Sequence, residues 1–197
     1  AVIGGPEPPI ASAFREWVGN ATGTDNTWTA NTGTKPVAVD HTDHDDTTYI
    51  YDNLTTSQFQ TFTHPATGIP AGSNVLAVGE RIFGRRTGVG TATIRTRMRL
   101  STSVWTRSYD SDSSPTTYNW RYFDYRKTTP ATTTGWTIAN VDNLELGVLS
   151  NAVVNTVLAR VTTIVGFVAY GNDHPASTYG GDETTVNPRN RDRRLVY

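Results

Sequence analysis

Apolar residues in this chain gather into short runs between Thr-, Pro- and Gly-rich loops, and the densest run lies between Gly135 and Tyr170. Ile138, Val141 and Leu144 recur there at helical spacing. Thr137 is placed to cap a first turn, and Gly147 sits where a helix ends in a left-handed residue. This predicts a helical connector of one to two turns. After it, Val157, Ala159, Val161, Thr163, Val165, Phe167 and Ala169 fall on one side of an extended chain, and Leu158, Ile164, Val168 and Tyr170 on the other. A strand apolar on both faces is central in its sheet. Its β-branched content argues against a helix over the same run.

The remaining runs read as strands. Trp28 to Val39 is the first strand region, limited by Pro36 to an edge or a strand start. Gln58–Thr63, Val75–Phe83, Thr91–Val104, Trp105–Tyr109 and Asn119–Arg126 follow, with a glycine-rich hairpin turn at residues 84–90. Within the fourth run Ile94, Thr96, Met98 and Leu100 face one way and Arg95, Arg97 and Arg99 the other. Residues 1–26 hold Pro6, Pro8, Pro9 and four glycines with little periodicity, and are expected to form an extended arm. Phe14 and Trp17 in that arm have no core of their own, so they dock on the domain or on another chain. Residues 171–197 change character again and read as a C-terminal arm. Together these features predict an all-β fold: an antiparallel, jelly-roll-like sandwich over residues 27–170, of about eight strands with long loops, one short helical connector and an extended arm at each end. Strands alternate with loops instead of long helices, which excludes a parallel α/β sheet.

Composition narrows the function. Threonine makes up about a sixth of the 197 residues, which favours strands. The net charge is −1, so no overall field draws nucleic acid or an anionic membrane, and neither is expected as a partner. No apolar run reaches membrane-spanning length, and the first residues show no basic segment followed by an apolar one, so no signal peptide is expected. Lys35 and Lys127 are the only lysines, and the remaining basic charge is Arg, the side chain suited to planar, bidentate contacts. With no cysteine, disulfides, thiolate metal sites and a Cys nucleophile are excluded.

Several motifs in order carry a resemblance. An Asp-rich turn runs into Thr47-Thr48-Tyr49-Ile50. A strand of the form Ile69-Pro70 followed by Val75–Val78 comes next. TGWT (134–137), VDNLELGV (141–148) and a Val-rich strand ending in Tyr170 close the set. Over residues 28–170 this resembles a group of jelly-roll-like structural proteins of tailed bacteriophages, found on heads or tails. The resemblance implies a virion component, on the outer capsid surface after synthesis in the host cytoplasm. It implies the major capsid protein and further copies of the chain, as a homotrimer, as partners. It brings no catalytic residues with it.

Four constellations bear on chemistry. Asp40, His41, Asp43, His44, Asp45 and Asp46 form the densest polar cluster. Asp43, Asp45 and Asp46 offer oxygens for calcium, but the loop lacks the Gly and terminal Glu of an EF-hand. His41 and His44 have helical spacing in a stretch that reads as a turn. An Asx-rich turn entering a strand is the plainer reading, so no metal or cofactor is assigned. Arg95, Arg97 and Arg99, with Arg85 and Arg86 on the preceding turn, form a stripe that meets either an acidic partner or carboxylates on neighbouring strands. Trp105, Tyr109, Trp120, Tyr122, Phe123 and Tyr125 suit either core packing or a platform for sugar rings. Finally, Arg189, Arg191, Arg193 and Arg194 precede Leu195, Val196 and Tyr197, a polar strap with an apolar tip that orders on binding a neighbour. Neither a G-x-S-x-G elbow nor H-E-x-x-H is present, and Glu7, Glu16, Glu80, Glu145 and Glu183 sit in no distinctive motif. The expectation is therefore a binding protein, not an enzyme: a head decoration protein, with a tail- or fibre-associated glycan-binding module as the alternative.

Overall fold

The computed structural model describes residues 12–39, 47–88, 90–106, 116–126, 128–130, 134–151 and 157–171. In chain order these form β1 (Ser12–Val18), β2 (Ala21–Asn26), β3 (Thr29–Ala30), β4 (Ile50–Asp52), β5 (Gln58–Thr63), β6 (Asn74–Thr87), β7 (Ile94–Leu100), β8 (Ser103–Thr106), β9 (Asn119–Arg126), α1 (Ile138–Asp142), β10 (Glu145–Ser150) and β11 (Leu158–Gly171). Sheet A runs β3-β4-β11-β6-β9, with β1 also paired to β11, and sheet B runs β2-β5-β10-β7-β8. All these pairings are antiparallel. The chain is thus an all-β antiparallel sandwich, as its strand-and-loop pattern predicts.

From β4 onward the strands pair as a ribbon. β4 pairs β11, β5 pairs β10, β6 pairs β9 and β7 pairs β8. Successive pairs fall alternately in sheet A and sheet B. The ribbon closes at the β7–β8 turn, where Ser101 takes a positive φ of 56°.

β11 is central, as its two apolar faces require. β6 runs along one edge of it for its whole length, so β4, at Ala159–Val161, and β1, at Val165–Gly171, share the other. Its core face differs from simple alternation. Thr162 is an extra residue opposite the Gly84–Phe83 step of β6, and such a bulge reverses which side the following residues face. Val157, Ala159 and Val161 therefore continue on the core side as Ile164, Val168 and Tyr170, while Val165 and Phe167 lie outside the core cluster. Opposite them sit Phe62, Ile94, Met98, Leu146 and Val148 of sheet B.

The connector forms as read. The Thr137 hydroxyl accepts from Asn140 N at 3.1 Å, and the Asn140 side chain accepts from Thr137 N at 3.1 Å, a reciprocal cap. Val141 and Leu144 enter the core.

Four expectations are corrected. The N-terminal arm is sheet from Ser12 onward, because β1 and β2 find partners far along the chain, on β11 and β5. The first strand region is only the two residues of β3, followed by a 3₁₀ turn at Val37–Val39; Pro36 suits the start of such a turn because it lacks the N–H a strand would use. Arg85 and Arg86 lie inside β6, not in a turn, since the start of β11 extends the pairing to Thr87. Gly147 does not end the helix, which Asn143 caps. It lies within β10, where a Cβ would stand 2.0 Å from the Gln60 carbonyl oxygen.

Candidate functional site

The outer face of sheet B carries the arginine stripe, and a bulge supplies its counter-charge. Between Thr22 and Asn26, β2 advances four residues while β5 advances two, from Phe62 to Gln60. The surplus segment folds over β5 and presents Asp25. Arg97 Nε donates to Asp25 Oδ2 at 2.8 Å, and Arg99 donates to Oδ1 at 3.3 Å. The Arg97 guanidinium also lies 4.3 Å over the Phe59 ring and donates to Thr106 Oγ1 at 3.3 Å. Glu145 locks the bulge in place: its carboxylate accepts from Thr24 N at 2.9 Å, from the Thr24 hydroxyl at 2.6 Å and from the Thr61 hydroxyl at 2.5 Å. The Thr61 oxygen in turn accepts from Asp25 N at 3.1 Å. Only 12% of the Arg97 side chain is exposed. Arg97 and Arg99 thus share one carboxylate of the same chain. Arg95 shares their face, opposite Leu149 of β10.

The outer face of sheet A is different. Phe14, on β1, is 53% exposed and stacks on Phe167 at 6.0 Å. The Phe167 ring lies over Gly79, where a Cβ would meet it at 2.0 Å. Leu76, the extra residue where β6 steps from Ala77 to Val75 against Ala169 and Tyr170, is exposed beside this row. Val18 is exposed as well, and Glu16 pairs with Arg81 at 2.9 Å. Strand alternation sends Trp17 the other way. It is 8% exposed and enters the core of its own domain, so only Phe14 of the two expected anchors remains on the surface.

Trp17 closes one end of the sandwich against His64, their rings 4.8 Å apart. Burial lowers the pKa of His64, which leaves it neutral at pH 7, with Nδ1 2.8 Å from the Pro65 carbonyl as donor. Asp142 Oδ1 accepts from Thr67 N at 2.8 Å and from the Thr67 hydroxyl at 2.7 Å. Arg15 reaches the Thr67 carbonyl at 2.8 Å and Tyr170 Oη at 3.0 Å. The Thr67 hydroxyl points to Asp142 instead of His64, while His64 Nε2 and Trp17 Nε1 are buried without a hydrogen-bond partner among the described residues. The cluster fastens β1 and the loop after β5 to the helix; it does not align a nucleophile with a base.

Between the sheets lies a carboxyl that sequence reading passed over. Glu80 is fully buried, and its Oε1 accepts from Gly147 N at 2.6 Å. Burial pushes its pKa well above the usual carboxylate range. The signal was its place between Val78 and Ile82 on the inward side of an apolar strand. Asp52 of sheet A bridges to Ser150 of sheet B by a second buried hydrogen bond, and accepts from Leu54 N at 2.9 Å. Lys35 donates to Asn26 Oδ1 and to Gln60 Oε1, and burial lowers its pKa.

Of the aromatic set, Trp105 is half-buried and packs edge-on against buried Trp136 at 5.8 Å. That is its core-packing role, not a surface platform. Asn119–Arg126 forms the expected strand. Arg85 sits 4.8 Å over Tyr118, itself stacked on Phe83. Tyr109, the cluster at Asp40–Asp46 with its calcium candidates Asp43, Asp45 and Asp46, and the strap residues Arg189, Arg191, Arg193, Arg194, Leu195 and Tyr197 lie outside the described residues. Among the described residues, no group of three or more His, Asp or Glu side chains is placed to hold a metal. The chain matches no protein-family model, and no curated protein matches it.

Proposed function

We propose that this chain is a structural protein of a virion, a head decoration protein whose jelly-roll sandwich binds the capsid lattice and reinforces it by binding alone. Its partners are the major capsid protein and other copies of itself. The observation that carries the reading is the pairing of Ser12 with Gly171. It sets the departure points of residues 1–11 and 172–197 side by side at one corner of the sandwich. The longer segment holds four arginines ahead of an apolar Leu-Val-Tyr. On this reading the two segments contact adjacent subunits of the lattice, and many modest contacts joined this way gain strength through effective concentration. The wound ribbon of pairs from β4 to β11 supports the jelly-roll reading, and the order of motifs from Thr47 to Tyr170 supports a virion component.

The test is co-sedimentation with empty capsid shells, using the full chain and a chain ending at Gly171. Saturable binding by the full chain, lost on truncation while the sandwich stays folded, is the expected result. Equal binding by both would contradict the role given to the segment.

A glycan-binding module of a tail or fibre is the second reading. It is favoured by an open groove of about 630 Å³ lined by Ser101, Thr102, Ser103, Asn140, Asn143 and Glu145, whose hydroxyls and amides suit sugar hydroxyls. A glycan screen on the same protein separates the two.

A further inference from the structure

We infer that β1 is a self-pairing edge: two copies of this chain join β1 to β1 in antiparallel fashion, extending sheet A across a twofold axis at Phe14. Sheet edges invite pairing, and proteins blunt them with short strands, bulges, Pro or free charged side chains, Lys above all. The other described edges are blunted in this way. β3 has two residues and β8 four. β2 is bulged over residues 23–25. β9 carries an extra residue where β6 steps from Val78 to Glu80. β1 has seven residues without Pro, its register on β11 is unbroken from Ser12 to Val18, and its two charged side chains are engaged within the chain, Arg15 by Tyr170 and the Thr67 carbonyl and Glu16 by Arg81. Its outward main-chain groups meet no described residue.

The occupant is a second copy because one twofold contact satisfies two identical open edges at once. Side chains select its register. In a continuous sheet, directly opposed residues lie on the same face, so β1 residues pair with a fixed, even sum of residue numbers. Pairing centred on Arg15 sets two arginines face to face, and pairing centred on Glu16 does the same with two glutamates; both are unfavourable. Pairing centred on Phe14 avoids this. Ala13 then faces Arg15 of the second copy, Ser12 faces Glu16, and the arginines stand on a diagonal. Phe14 already stacks on Phe167, so this register lines up four phenylalanines across the joined outer faces, covering the most exposed of the large apolar side chains described. Centring on Trp17 leaves Phe14 uncovered. The inference rests on the open edge alone and does not depend on the virion reading.

Because the chain has no cysteine, single substitutions report the register directly. Wild-type protein is expected to sediment as a concentration-dependent dimer. Phe14→Cys is expected to cross-link on oxidation, since directly opposed Cβ atoms lie about 4.5–5.5 Å apart. Arg15→Cys and Glu16→Cys are not. Phe14→Arg, which opposes two charges on the axis, should raise the dissociation constant about a hundredfold or more with the circular dichroism unchanged. A wild-type monomer at all concentrations, or a trimer that Phe14→Arg leaves intact, would overturn the inference. Cross-linking that favours position 15 or 16 over 14 would overturn the register.

Discussion

The two outer faces of this sandwich handle their exposed groups in opposite ways. On sheet B, Arg97 and Arg99 meet Asp25, and Glu145 accepts three hydrogen bonds that hold the Asp25 bulge over β5. On sheet A, Phe14, Val18 and Leu76 stand exposed at and beside an edge strand with no partner on its outer side among the described residues. An abundance of charge therefore does not mark the interacting face here. Arginines that share an internal carboxylate have less left to offer a partner, whereas a regular strand edge with an exposed aromatic makes no main-chain hydrogen bonds on its outer side among the described residues. The face that stood out as a sequence motif has two of its arginines engaged by Asp25, and the segment that looked like a loose arm carries the edge strand β1.

That contrast can be broken by substitution. Arg97→Ala should cost the fold the most, about 2 kcal/mol, because it leaves Asp25 half-paired and strips the guanidinium from Phe59. Phe14→Ser should cost the least, within about 0.5 kcal/mol, since the side chain is mostly outside the fold. Denaturant unfolding of dilute protein measures both, and an equal loss from the two would erase the distinction between the faces.

Between them lies Glu80. Its proton is held more tightly in the folded chain than in the unfolded one. Its contribution is therefore whole below the ordinary glutamate range and is lost as pH rises toward the raised folded value. Stability of the wild type should fall across that rise. Glu80→Gln, which keeps the acceptor for Gly147 N, should flatten the profile and be the more stable of the two at alkaline pH. Parallel profiles would mean that Glu80 is not the group responsible.

Elements whose signals are local were legible from sequence. The Thr137 cap, Asn119–Arg126 as a strand, and the division of Ile94–Leu100 into a buried face and an arginine face all follow from residues within one turn or one strand. Features set by distant pairing were not. Phe14 and Trp17, in a stretch that read as an extended arm, occupy opposite faces of a strand because β11, far along the chain, pairs with β1. Asp25 reaches Arg97 only through a bulge, and Thr162 reverses the faces of β11 through another, and neither breaks the hydrophobic pattern enough to be seen. Gly147 had a local explanation at hand, yet its cause is the main chain of β5 crowding against it.

Residue-resolved amide hydrogen exchange, at protein concentrations below and above dimer formation, tests the open edge most directly. If β1 pairs with itself, its outward-facing amides slow as concentration rises, while those of β8, the short edge of sheet B, exchange at the same rate throughout. Outward β1 amides that exchange at one rate at every concentration, or slowing confined to β8, would contradict the contrast between the two faces.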